Sequence, residues 1–268
     1  MIRAFSFVFC LGLFGCVAPD KSHIASVAVD AENIYARQSV HFQNAVFYKP
    51  AEAASPDMIF KLAPLIILQV SNTDQPTELV DGLVNPDTAA SQPIAVNAWT
   101  DTVQLRGQPR ARVSYLWHHS TPINSKTTGN IRQGVRITFG TDGRPVVWEI
   151  LADTSGKRLI VVSESLEQAA AQQFGPPLSG RRFSIEASSD ASPSSLVMRV
   201  IDDGPVAMGP ITYLAQGTRD MATLICRCMP SQASNIVGTK TYDLSPLPSP
   251  PFVWPGAPLD TALRLPDF

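Results

Sequence analysis

On either side of a polar stretch at Thr121 to Asn130, apolar side chains alternate with others between Thr102 and Leu151, and nothing else in the chain narrows its possible folds as far. A period of two is that of a pleated strand, whose successive side chains point to opposite faces. Val113, Tyr115 and Trp117 share one face of the stretch from Ala111 to His118, which follows Thr102 to Arg106 across a Gly107-Gln108-Pro109 turn. Val135, Ile137 and Phe139 then alternate up to Thr141-Asp142-Gly143, and Val146, Trp148 and Ile150 return from it. Two hairpins are expected here, separated by a polar loop from Thr121 to Asn130.

Further strands are expected from Ser39 to Tyr48, Lys157 to Val162, Arg182 to Glu186, Ser195 to Ile201, Val206 to Leu214 and Met221 to Met229, with a short one from Thr239 to Leu244. Met58 to Val70 reads as a strand broken by a bulge or edge at Pro64. One helix stands out, the alanine-rich run from Leu166 to Phe174, opened by a capping box at Ser165 to Gln168 and stopped by Gly175-Pro176-Pro177. The fold class is therefore α+β and mainly β: an antiparallel sheet assembly, a sandwich or a curled sheet, with one convincing helix. Residues 26–244 form a single β-rich domain, and residues 245–268 a proline-rich extended tail. Phe252, Trp254, Leu259, Leu263, Leu265 and Phe268 alternate with its prolines, an apolarity that suits docking on the domain better than floating free.

At 44% hydrophobic and 16% charged residues the chain can bury a substantial core. Its net charge of −2 comes with no lysine or arginine run, so no nucleic acid is implied as a partner.

The amino terminus constrains location. Arg3 precedes an almost unbroken apolar run from Ala4 to Phe14, too short for the roughly 20 residues of a spanning helix and suited to a secretory signal over residues 1–15. The run closes on Leu13-Phe14-Gly15-Cys16, which resembles the lipobox of bacterial lipoproteins. The resemblance covers these sixteen residues only. It implies cleavage before Cys16, a covalent lipid on its sulfur as the only prosthetic group, and residues 16–25 as a short lipidated tether to a membrane. Val17, where aspartate would imply inner-membrane retention, points to the periplasmic side of the outer membrane in a Gram-negative envelope.

Cys226 and Cys228 are then the only thiols left, since Cys10 departs with the leader. On a strand they share a face with Leu224, and three roles stay open: buried structural cysteines, a strained disulfide, or a redox or metal-binding thiol pair. Two cysteines make half a metal site at most, and no completing motif follows, so no metal is expected. Motifs for nucleotide binding, zinc hydrolysis and serine hydrolysis are missing, and catalytic residues stay unknown. His118 and His119 end a strand and face opposite ways. Glu149, Glu186, Asp202 and Asp203 are carboxylates that neighbouring strands could pair, although acids on a solvent face, or in a turn such as Asp202-Asp203-Gly204-Pro205, are the plainer expectation. Trp99, Trp117, Trp148 and Trp254 offer either ligand platforms or core, and core suits Trp117 and Trp148 better.

These features describe a lipid-anchored envelope protein with a non-catalytic binding or structural role toward an envelope protein or cell-wall partner. The alternative is an envelope hydrolase, or a thiol-dependent or metal-binding protein built on Cys226 and Cys228.

Overall fold

A computed structural model describes residues 31–51, 57–70, 83–84, 95–124, 127–190, 194–203, 209–216, 218, 220–225, 233–250 and 258–267. Both hairpins form. Strands β1 (Phe42–Pro50), β2 (Leu65–Gln69), β3 (Leu83–Val84), β4 (Ala95–Leu105), β5 (Gln108–Asn124), β6 (Thr127–Phe139), β7 (Pro145–Leu151) and β8 (Arg158–Ser163) are followed by β9 (Ser195–Ile201), β10 (Ile211–Leu214), β11 (Met221–Ile225) and β12 (Ala233–Pro246). The β4–β5 connection is only Arg106-Gly107, both with positive φ (50° and 73°), a primed turn whose twist matches that of its strands. The polar stretch expected as a loop from Thr121 to Asn130 instead continues the β5–β6 ladder, with Thr121 opposite Gly129. Polar residues suit a strand once a neighbour satisfies its backbone, which alternation of hydrophobicity does not reveal.

The sheet is one curled body, not a sandwich, and it is mixed, not antiparallel. Its main path runs β11-β10-β2-β1-β12-β4-β5-β6-β7-β8-β9, with β3 beside β5. The pairs β1–β12, β12–β4, β10–β2 and β8–β9 are parallel. Three of them are made by late strands inserted among or laid beside earlier ones, a crossover that local sequence cannot announce. The short strand expected from Thr239 to Leu244 is thereby the fourteen-residue β12, central to the sheet. Tyr242 is its single fully buried side chain, so the hydrophobic pattern that would reveal its length is missing.

The sheet curls until its two edge strands approach, leaving a barrel that is nearly closed. Side chains bridge the seam: Arg199 of β9 donates to Thr223 Oγ1 of β11 at 2.8 Å. A helix at residues 31–37 (α1), absent from the sequence reading, lies across it. Its Ile34 enters the core, and its Arg37 pairs with Asp153 at 2.9 Å and Asp220 at 3.8 Å. Gln38, just past α1, donates to the Met198 carbonyl of the open β9 edge. Edge-strand backbone groups invite mispairing, and this helix is how the fold covers one of them.

Inward-facing residues of the eleven path strands fill the interior, including Tyr48, Tyr115, Trp117, Trp148 and Tyr242. Met58 to Val70 is not a single strand: Asp57 caps a one-turn helix, α2 (Met58–Lys61), before β2 begins. Tyr115 and Tyr242 donate their hydroxyls to the carbonyls of Ile59 and Pro64, each at 2.6 Å, so α2 and the turn after it are tied to the core. Outside the barrel, α3 (Glu164–Phe174) covers β7, β8 and β9 through Leu166 and Ala170. Its N-cap is Ser163, whose Oγ accepts from Leu166 N at 3.3 Å, and not the Ser165 of the expected capping box. Leu259, Leu263 and Leu265 join that outer cluster, the first on the one-turn α4 (Leu259–Ala262), so this part of the tail is not purely extended. Arg182 to Glu186, expected as a strand, is irregular apart from one bridge between Glu186 and Leu263.

Candidate functional site

Val96 and Ala98 of β4, Tyr115 of β5, Val135 of β6 and Ile150 of β7 face the core, so alternate residues face outward, and on this outer face the register lines up one row. Trp99 lies opposite Ser114, Ser114 opposite Arg136, Arg136 opposite Glu149, and Glu149 opposite Ile160. Beside it stand Asp101 opposite Arg112, and Arg112 opposite Thr138. Directly opposed side chains have Cβ atoms about 4.5–5.5 Å apart, so the row is a contiguous patch.

The outer face of a barrel is expected to be wet, but this patch is not. Trp99, Ser114 and Thr138 are fully buried, Glu149 is 1% exposed and Arg136 7%. Asp101 and Arg112 close a two-pronged pair at 2.6 and 2.8 Å. Glu149 is shared between Arg158, at 3.1 Å, and Arg136, at 3.9 Å, yet neither of its oxygens accepts an aligned hydrogen bond. Contact distance without alignment leaves mainly Coulomb attraction, which is strong here because water is largely excluded. Burial lowers the Arg136 pKa below the usual arginine range, and Glu149 acts against that shift. Counted as formal charges, one carboxylate faces two guanidinium groups while Asp101 and Arg112 cancel, so the patch carries a surplus positive charge. Indole Nε1 of Trp99, Nε of Arg136 and the hydroxyls of Ser114 and Thr138 have no hydrogen-bond partner among the described residues.

The other residues singled out in the sequence are dispersed. His118 is buried on the same outward face as Ser114, opposite Arg132. Four strand residues separate their Cα atoms by roughly 13 Å, beyond the reach of a proton relay. His41 is exposed and meets the Ser234 hydroxyl. Asp203 accepts from Ser165 N and Oγ, at 3.0 and 2.6 Å, and so tethers the start of α3. Trp117 and Trp148 are core. Cys16, Cys226, Cys228, His23 and Trp254 lie outside the described residues, as do the side chain of His119 and residues 251–257 of the tail. Among the described residues no group of three metal-ligating side chains comes together.

Glu186 is another buried carboxylate, and it serves the loop before β9. Its oxygens accept backbone N–H groups of Arg182, Phe183 and Val197 at 3.2–3.3 Å, while Glu167 of α3 takes those of Ser184 and Ile185 at 2.7 and 3.1 Å. Burial raises the Glu186 pKa despite these donors, and the nearby Tyr35 hydroxyl is pushed up to about 12, again mainly by burial. A carboxyl whose folded pKa exceeds its unfolded value binds its proton more readily when folded. Its contribution is complete below the ordinary value of 4.5 and is lost as pH rises through the elevated folded pKa. Unfolding midpoints measured across that window are expected to show wild type losing its margin over Glu186→Gln as pH rises. Parallel profiles would refute the assignment.

The arginine–glutamate patch is what the sequence reading missed. In the sequence Glu149 reads as a solvent-face acid or as half of a carboxylate pair, and Arg112, Arg136 and Arg158 carry no signal of their own. The signal that could have found it is register, because Trp99 meets Ser114 by counting back from the Arg106-Gly107 turn. No protein-family model, curated protein or solved structure matches the chain.

Proposed function

We propose that this chain is a lipid-anchored protein of the bacterial envelope, acylated at Cys16, whose β-rich body binds or supports another envelope component without catalysing a reaction. The observation that carries the reading is the leader ending in Leu13-Phe14-Gly15-Cys16. It implies attachment to a membrane through the lipid, on the periplasmic side of the outer membrane if the cell is Gram-negative. The body's geometry is in keeping with a binding or structural role. Its interior is occupied by aromatic side chains, so a ligand or partner would meet the outer surface, where the buried arginine–glutamate patch is a polar, enclosed feature.

Expression of wild type and Cys16→Ser in a bacterial host, followed by fractionation and intact-mass analysis, tests the anchor. Wild type is expected in the membrane fraction with an acyl mass increment, and the variant in the soluble fraction without one. A wild-type protein of unmodified mass, or a variant that remains with the membrane, would refute the proposal.

A further inference from the structure

We propose that the outer patch of β4 to β7 is a binding site for a small free oxyanion, such as inorganic phosphate or a short carboxylate, held by Arg136, Ser114, Thr138 and Trp99. The proposal deepens the binding role above by naming a ligand class, and it rests on that role but not on the lipid. Indole Nε1–H and guanidinium Nε–H are donors only, and a hydroxyl donates or accepts. The four groups therefore present donor capacity with no acceptor among the described residues, within the span of three adjacent strands. Glu149, the ion-pair partner of Arg136, lies closer to Arg158, at 3.1 Å against 3.9 Å.

Charge and enclosure select the ligand. Glu149 faces a second guanidinium as well as Arg136, and Asp101 is committed to Arg112, so Arg136 is under-neutralised, which favours an anion over a neutral acceptor. Arginine Nε–H with hydroxyl donors suits the several acceptor oxygens of a phosphate or carboxylate. Arg136 is 7% exposed and Trp99, Ser114 and Thr138 are fully buried, which restricts the ligand to a few atoms and excludes a headgroup still attached to a bilayer. The surplus charge would be met by one anionic oxygen, so Asp101 and Arg112 can keep their pairing.

Inorganic phosphate titrated calorimetrically into the detergent-purified full chain, at constant ionic strength against chloride, tests this. Saturable binding is expected, weakened about tenfold by Ser114→Ala or Thr138→Val, each removing one donor to an anion without altering charge. Arg136→Lys keeps the charge and loses the Nε–H, and a comparable weakening is expected. Vesicles of phosphatidylglycerol separate a free oxyanion from a headgroup and are expected to compete no better than phosphatidylcholine. No saturable phosphate binding by wild type, unchanged affinity in both hydroxyl variants, or preferential competition by phosphatidylglycerol would overturn the proposal. The acyl mass on Cys16, read from the same sample, stands or falls separately.

Discussion

Glu149→Ala is expected to destabilise the fold by about 3–5 kcal/mol, the range for removing one partner of a buried ion pair. The carboxylate is 1% exposed and lies between Arg136 and Arg158, so its loss leaves two cations facing each other with little water to screen them. Arg158 retains 17% side-chain exposure and can turn outward, whereas Arg136 cannot without breaking the β6 packing. The double variant Arg136→Met/Glu149→Leu removes both buried charges and is expected to recover most of the loss, because apolar pairs often replace buried ion pairs without penalty. Urea midpoints for the three proteins decide it. If the single variant costs less than about 1 kcal/mol, Glu149 behaves as a solvated surface acid. That result would also remove the electrostatic basis of the oxyanion site.

Trp117→Ala is expected to cost about 3–5 kcal/mol through lost apolar contact and the cavity left behind. Trp117 is fully buried in the barrel interior, and its Nε1 donates to Gln133 Oε1 at 3.3 Å. Trp117→Phe should retain most of the ring contacts and cost less, about 0.5–1.5 kcal/mol, chiefly for the lost indole hydrogen bond. The pair of variants separates volume from hydrogen bonding. A near-neutral Trp117→Ala would mean a loosely filled interior, and a ligand carried inside the barrel would then replace an outer-surface site as the better reading.

The barrel is not closed, and α1 crosses the seam that remains. Arg37, Asp153, Asp220 and Thr154 form the polar clasp there: Thr154 donates from its N and Oγ1 to Asp220 at 3.1 and 2.6 Å, and Arg37 spans both acids. These groups come from α1, from the loop after β7 and from the residue before β11, so the clasp draws together chain segments far apart in sequence. Every such contact bears a loop-closure cost that only the packed core offsets.

The sequence by itself determined the mainly β class, the two central hairpins, the helix ending at Phe174 and strand Ser195–Ile201, because alternation, turn glycines and capping residues act through neighbours a few positions away. It also placed Trp117 and Trp148 in the core, since apolar faces within one strand are local facts. Only the tertiary structure decided that the sheet is mixed and curled, that polar β12 runs through its middle, and that α1 covers the seam. It alone decided that Glu149, on the side of β7 expected to be wet, is buried between two arginines. The reason is register. A strand's sequence fixes which residues share a face, but the partner opposite each one follows from turn length and bulges, and a bulge near Pro122 shifts the β5–β6 ladder by one residue before Ser114 meets Arg136.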